Sequence, residues 1–275
     1  MLKVPFYKMS GSGNDFIIID NCAGIYDALK TPEFVAAVCR RSMSIGADGL
    51  IFIENSKKCD FIWHFYNSDG SAPEMCGNGA RCAARFAFLN GIAGENMSFE
   101  TVAGIITAQV KGAVVKIQLS QPGEMKTNVN LDVDSETLSL SFINTGVPHA
   151  IIPVDDIETV QIKELGSKIR FHEYFQPAGT NVNFISIDSD NVVNIRTYER
   201  GVEDETFACG TGSVAAALVA IAMGRVSSPV KVKARSNEIL TVYVNEDSQP
   251  FKEVYLEGDA RVVYEGVVWD EAYTS

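Results

Sequence analysis

The stretch Gly212-Ser-Val-Ala-Ala-Ala-Leu-Val-Ala-Ile-Ala-Met223 is apolar on every side and stops at Gly224. A helix without a polar face has to be enclosed. It is too short to cross a membrane, which takes about 20 apolar residues, so other parts of the chain must enclose it. What they offer is strand. β-Branched runs punctuated by Gly, Asn and Asp recur at Phe16–Asp20, Leu50–Glu54, Phe61–Tyr66, Ile105–Val110, Val114–Leu119, Leu138–Asn144 and Ala150–Val154. They continue at Val182–Asp188, Val192–Glu199, Val230–Ala234, Leu240–Val244, Glu253–Glu257 and Arg261–Tyr264. Helical patterns are few. Thr31-Pro32-Glu33 opens one as an N-cap with proline in the first turn, running to about Arg41. Val160–Lys168 is short and amphipathic. Gly79–Asn90 carries Ala80, Ala83, Ala84, Ala87 and Phe88 at helical spacing, with Arg81 and Arg85 on another face read as solvated or domain-facing. The pattern predicts an axial helix wrapped by curved sheet, not a doubly wound parallel sheet.

The chain also repeats itself. Cys76-Gly-Asn-Gly-Ala-Arg-Cys-Ala-Ala returns as Cys209-Gly-Thr-Gly-Ser-Val-Ala-Ala-Ala, 133 residues on in a chain of 275. Phe16-Ile-Ile-Ile-Asp20 is echoed by Phe184-Ile-Ser-Ile-Asp188 at a different offset, 168, which implies insertions between two copies. Two related, strand-rich halves follow, each with one Cys-Gly-x-Gly loop and one helix, divided near Gln121-Pro122-Gly123.

Composition removes several function classes. A net charge of −12 argues against a surface built to neutralise phosphates, so no nucleic-acid partner is expected. No run reaches a membrane span, and the start lacks the apolar core of a signal peptide, so the expectation is a soluble, cytoplasmic protein. Six cysteines form no Cys-x-x-Cys pair and there are three histidines, so no zinc site and no disulfide scaffold are expected. Cys22, Cys39, Cys59 and Cys82 read as packing residues, and His64 as a hydrogen-bonded core histidine. Gly11-Ser12-Gly13 lacks the third glycine of a dinucleotide loop, and Phe16 opens a strand where that loop would open a helix.

Cys76 and Cys209 differ from the rest because each precedes a Gly-x-Gly turn into a helix. A helix N-terminus presents unpaired N–H groups and the positive end of the macrodipole, which favours thiolate and can hold a carboxylate. Two thiols flanking a small anionic ligand suit inversion of a stereocentre α to a carboxylate. One thiolate removes a proton from one face and one thiol delivers a proton to the other. Helix N-termini aimed at the carboxylate would stabilise the developing charge. This chemistry points to a cofactor-independent racemase or epimerase.

Lys8-Met-Ser-Gly-Ser-Gly-Asn-Asp-Phe16, Asn67-Ser-Asp-Gly-Ser71 leading to Cys76-Gly-Asn-Gly-Ala-Arg-Cys82, and Glu199-Arg-Gly201 leading to Ala208-Cys-Gly-Thr-Gly212 closely resemble the diaminopimelate epimerases along essentially the whole chain. The resemblance implies an α+β fold of two pseudo-symmetric lobes, each a curved, mostly antiparallel sheet around a central helix. The first lobe would span 1–121 plus a C-terminal strand at about 262–275, and the second 122–261. It implies interconversion of LL- and meso-diaminopimelate in lysine synthesis, with no cofactor, no metal and a small-molecule substrate, while the choice between monomer and homodimer stays open. Cys209 would take the proton from the LL isomer and Cys76 would donate one. Gly77, Asn78, Gly210 and Thr211 would hold the reacting carboxylate; Asn14, Asn67, Asn181, Glu199 and Arg200 would complete substrate binding. His149 and Glu199 would support activity. Two positions depart from the family pattern: Val147 stands where some members have asparagine, and Gly49 where some have glutamine. A proline or hydroxyproline racemase shares the paired cysteine loops but has no distal amino acid for Glu199, Arg200 and Asn67 to meet. A non-catalytic amino-acid-binding or thiol-switch protein is the alternative of another class.

Overall fold

The structure is a computed structural model describing residues 3–134, 136–248 and 250–274. The chain forms two compact units, one running to Gln118 and including the segment from Gly258 onward, the other spanning Leu119–Glu257. The first contains β1 (Val4–Gly11), β2 (Asn14–Asp20), α1 (Pro32–Cys39), β3 (Gly49–Glu54), β4 (Phe61–Asn67), α2 (Gly77–Leu89), β5 (Asn96–Thr101), β6 (Gly104–Lys111) and β7 (Val114–Gln118). The second contains β8 (Lys126–Val133), β9 (Glu136–Asn144), β10 (Pro148–Pro153), α3 (Ile162–Arg170), β11 (Asn181–Ile187), β12 (Val193–Glu199) and β13 (Asp204–Thr206). It continues with α4 (Gly210–Ala222), β14 (Val230–Lys233), β15 (Ile239–Asn245) and β16 (Lys252–Asp259), whose last two residues fall in the first unit. The last strand, β17 (Arg261–Val268), returns to pair antiparallel with β1.

Among the described residues, eight strands of each unit pair in the same sequence of directions. The orders β17-β1-β2-β3-β4-β5-β6-β7 and β8-β9-β10-β11-β12-β14-β15-β16 both read antiparallel, antiparallel, parallel, antiparallel, parallel, antiparallel, antiparallel. β13 adds alongside β12. The fold is therefore α+β and internally repeated. Phe16 pairs with Gly49 as His149 pairs with Asn181, so β10 stands in the place of β2 and β11 in that of β3, at the 133- and 132-residue offsets.

The likeness of Phe16–Asp20 to Phe184–Asp188 does not follow this repeat, because β2 and β11 hold different places in it. Both are members of the central parallel pair, buried on both faces, and that burial demands continuous apolar runs wherever it occurs.

In each unit the central strands are covered from two sides. Ile17, Ile19, Leu50 and Phe52 meet Phe34, Val35 and Val38 of α1. That helix starts as its sequence suggests, the Thr31 hydroxyl accepting from Phe34 N at 3.2 Å with Pro32 in the first turn. From the other side α2 packs on β1, β2, β3, β6 and β7. In the second unit, Val182, Phe184 and Tyr198 meet Ile162 and Ile169 of α3. There α4 packs on β9, β10, β11, β12, β14 and β15, with every residue from Gly212 to Ala220 buried. α3 begins two residues later than the sequence pattern suggests, because Val160 O accepts from Ile162 N in a turn that precedes it. β5 and β8 escape a search for apolar runs, since polar side chains alternate through both and β8 is largely exposed.

Enclosure of α4 makes its interior residues costly to trim. Leu218→Ala is expected to lose about 3 kcal/mol in urea unfolding. Met223→Ala, at a 41% exposed position, should stay within about 0.5 kcal/mol.

Candidate active site

Cys76 and Cys209 occupy equivalent places, each the N-cap of its unit's central helix. Their backbones are extended, at φ −145°, ψ 113° and φ −127°, ψ 109°, and neither side chain caps its helix. The Cys76 carbonyl accepts from Ala80 N at 2.8 Å and the Cys209 carbonyl from Ser213 N at 2.9 Å, so both helices start in the same way. The first-turn N–H groups have no intrahelical partner, and they carry the positive end of the macrodipole. Both cysteines are half-buried.

In the first unit, Ser12 and Gly13 (φ 54° and 88°) form a two-residue hairpin turn between β1 and β2 and place Asn14 opposite Gly11. Asn14 then joins a chain of amides. Arg81 Nη2 donates to Asn78 Oδ1 at 2.9 Å, Asn78 Nδ2 to Asn14 Oδ1 at 2.5 Å, and Asn14 Nδ2 to Asp48 Oδ2 at 3.2 Å. A guanidinium can only donate and a carboxylate only accept, so Arg81 and Asp48 fix the orientation of both asparagines between them. Arg81 is 0% exposed, so of the two readings of its stripe, solvated or domain-facing, the solvated one is excluded. Its face of α2 lies under the β1–β2 hairpin and the start of the C-terminal segment, where it also donates to Ser12 Oγ at 2.7 Å and Asp259 O at 3.5 Å. Arg85, half-buried, donates to the Ala260 carbonyl. Beside the amides, burial would raise the pKa of Asp15, but hydrogen bonds from Arg41 and Lys8 hold it down to about 2. Asn67 sits at the end of β4, and its turn is closed by Asn67 N to Ser71 O at 2.8 Å and Nδ2 to Ser71 Oγ at 3.0 Å. Gly70 in that turn has φ 84°, and a Cβ there would lie 2.6 Å from the Pro32 carbonyl.

In the second unit, His149 is 0% exposed. Its Nε2 lies 3.0 Å from Thr211 Oγ1, which is 3.6 Å from Cys209 Sγ. Its Nδ1 lies 3.1 Å from Asn183 Nδ2. Burial drives its pKa down to about 3, the Asn183 contact opposing and the Arg200 charge assisting that shift. Asn181 Nδ2 donates to Pro148 O at 3.1 Å, and its Oδ1 accepts from Arg200 N at 2.9 Å. The Arg200 guanidinium donates to Ala178 O at 3.0 Å. Burial pushes the Glu199 carboxyl up, with the Thr206 hydroxyl acting in the opposite direction. Thr145 Oγ1 donates to Thr211 O at 2.9 Å, tying the loop before β10 to the helix start.

The structure thus gathers Asn14 and Asn78 near the Cys76 helix, and His149, Asn181, Arg200 and Thr211 near the Cys209 helix. Asn67 and Glu199 close equivalent strands, β4 and β12. Asn183 and Thr197 escape a search for motifs. The signal that finds them is strand alternation: each stands two residues from a noted position, Asn181 or Glu199, and so shares its strand face. At Gly49 a Cβ would lie 2.6 Å from Tyr66 O and 2.7 Å from the Phe65 ring, so β3 has no room for a side chain there. Val147 precedes β10, and its carbonyl accepts from Thr145 N at 3.1 Å. His64 bonds Glu54 Oε2 at 3.1 Å, but its side chain is 35% exposed and not in the core. Burial pushes Cys22 and Cys39 up to about 12, away from thiolate chemistry. Among the described residues no group of three or more His, Cys, Asp or Glu is placed to hold a metal ion, and no helix is long and apolar enough to cross a membrane.

Solved structures with this fold include a phenazine biosynthesis protein of the PhzF family from Bacillus anthracis, with TM-score 0.74 and 16% identity over 98% of this chain and 100% of that one. A hydroxyproline epimerase from Agrobacterium vitis has TM-score 0.69 and 14% identity over 97% and 92%. They define the fold class. The family follows from sequence: the diaminopimelate epimerase model matches residues 6–127 and 141–263. A diaminopimelate epimerase from Aquifex aeolicus is 48% identical over 98% of this chain and 99% of its own length. One from Chlorobaculum tepidum is 44% identical over 94% and 99%. The chain belongs to the diaminopimelate epimerase family and is an enzyme of the isomerase class.

The buried histidine has a consequence for stability. Its folded pKa lies below the unfolded value near 6.5, so its contribution is complete above pH 6.5 and is lost as pH falls toward about 3. The unfolding free energy of the native protein relative to His149→Gln should therefore shrink by about 1.4 kcal/mol for each pH unit between about 6 and 4. Urea titrations across that range measure this; a constant difference would show that His149 is not held neutral by burial.

Proposed function

We propose that this enzyme interconverts LL- and meso-diaminopimelate without a cofactor, by two-base proton transfer at the α-carbon, as a step of lysine synthesis in the cytoplasm. The observation that carries this reading is cysteine at the N-cap of both repeated helices, in a chain of this family. Cys209 as thiolate takes the α-proton of the LL isomer, and Cys76 as thiol delivers a proton to the opposite face. In the reverse direction they exchange roles.

The α-hydrogen is far less acidic than a thiol, so negative charge developing on the neighbouring carboxylate needs stabilisation as it forms. The N–H groups of Gly77, Asn78, Gly210 and Thr211 supply it from fixed positions, with no reorganisation during the reaction. The far end of the substrate is a second amino acid. Arg200 suits its carboxylate through a two-point guanidinium contact, Glu199 its ammonium, and the amides of Asn14, Asn67 and Asn181 the remaining polar groups. An ammonium beside Glu199 would also lower the carboxyl pKa that burial raises.

Incubation with LL-diaminopimelate in heavy water tests the reading. The expected result is conversion to the meso isomer with deuterium at one α-carbon. Cys209→Ala and Cys76→Ala should each lower the rate by about a thousandfold or more, in line with loss of a positioned acid or base. Proline should not be turned over. Turnover of proline with none of diaminopimelate would overturn the assignment.

A further inference from the structure

Among the polar side chains that the second unit buries beneath α4 are His149, Asn183 and Thr197. Pairing register sets them at the repeat positions of Phe16, Ile51 and Phe65, which lie under α2 in the first unit. The same strand order therefore closes over an apolar trio in one unit and a polar trio in the other. Burying polar groups costs free energy unless each is bonded, so the fold does not require the polar version. Space is made for it at Gly212, where a Cβ would lie 2.5 Å from Asn183 Oδ1.

Chemistry fixes the direction of every bond in this trio. The Ala150 carbonyl can only accept, so the Asn183 atom 3.1 Å from it is the amide NH2. The Thr197 hydroxyl, 3.0 Å from the other atom, donates to Oδ1. The same NH2 faces His149 Nδ1 at 3.1 Å, so Nδ1 accepts and bears no proton. A neutral imidazole then carries its proton on Nε2 and donates to Thr211 Oγ1 at 3.0 Å. Thr211, having accepted that bond, has its own hydroxyl proton to direct at Cys209 Sγ, 3.6 Å away. Donation runs one way, from Thr197 through Asn183, His149 and Thr211 to the sulfur.

We propose that Asn183, held by Thr197, is a positioning residue that sets the Nε2–H tautomer of His149 and thereby, through Thr211, stabilises the thiolate of Cys209. The trio stands under the helix that Cys209 caps, while the repeat positions under the Cys76 helix are apolar, so the two thiols differ in what lies under their helices despite their equivalent places. Charged groups near the trio include Arg200, which acts on His149, and Glu199 at the end of β12, with Asp204 of β13 opposite it in register. Arg196 turns to the opposite face and pairs with Glu205, and strand alternation sends Lys231, Lys233 and Tyr243 the same way. This inference rests on Cys209 being a proton-transfer thiol.

Two measurements test it, and neither needs turnover, so its failure is distinct from failure of the epimerase reading. In ¹⁵N-labelled native protein, which has three histidines to assign, His149 should appear as the Nε2–H tautomer. Iodoacetamide labelling at a series of pH values, read by peptide mass spectrometry, then follows Cys209 and Cys76 in one sample. Asn183→Leu should move the Cys209 profile up by about one pH unit, a roughly tenfold slower reaction at neutral pH, and leave Cys76 within about twofold. Thr197→Val should shift it in the same direction by less. An Nδ1–H tautomer in the native protein, an unmoved Cys209 profile in Thr197→Val, or equal slowing of both thiols would overturn the proposal.

Discussion

A helix buried along its sides can meet a small ligand only through its ends. That constraint organises both units. In α4 the side chains from Val214 to Ala220 are spent on the surrounding strands, which leaves the N-terminal turn as the part able to do chemistry. The enclosing sheet also fixes where that turn lies. A thiol at the N-cap then has a helix dipole that cannot be reoriented and N–H groups that need no rearrangement to receive a carboxylate. The rigidity of the core and the chemistry of the cysteine are consequences of one burial.

The two units show how little of the interior such a fold dictates. Strand directions and the start of the central helix repeat, yet the side chains beneath the helix differ in kind. Phe16, Ile51 and Phe65 fill the space under α2 by apolar packing; His149, Asn183 and Thr197 fill it under α4 by hydrogen bonding. At the start of α2 the first unit does use polar groups. There Arg81 and Asp48 hold the Asn78 and Asn14 amides from opposite ends. Each unit therefore holds its helix N-terminus by a different network, one anchored by charges and the other by a neutral histidine.

Much of this is legible in the order of the residues. The cysteine blocks carry their own spacing, the glycines mark turns into helices, and the all-apolar segment demands enclosure. The expectations that fail share a cause. Arg81 lies at helical spacing away from the alanine face, and spacing separates faces without saying what covers each one. Here a hairpin and the end of β16 cover it, and both come from distant parts of the chain. The echo between Phe16–Asp20 and Phe184–Asp188 reflects equal burial, not equal position. β8 leaves no apolar signature because a largely exposed strand needs few apolar residues.

The sequence by itself determined which residues can react, that each central helix begins at a thiol, and that one of those helices must be walled in by strand. These are local properties, set by side-chain chemistry, turn-forming glycines and the period of apolar residues. Only the tertiary structure decided what stands behind each thiol. The direction of the hydrogen bonds at His149 depends on the Ala150 carbonyl and on Asn183, which strand pairing brings to it from 34 positions away. The orientation of Asn78 depends on Asp48 through Asn14. A hydrogen bond's sense is fixed by the groups at the ends of its network, and in this protein folding alone brings those ends together.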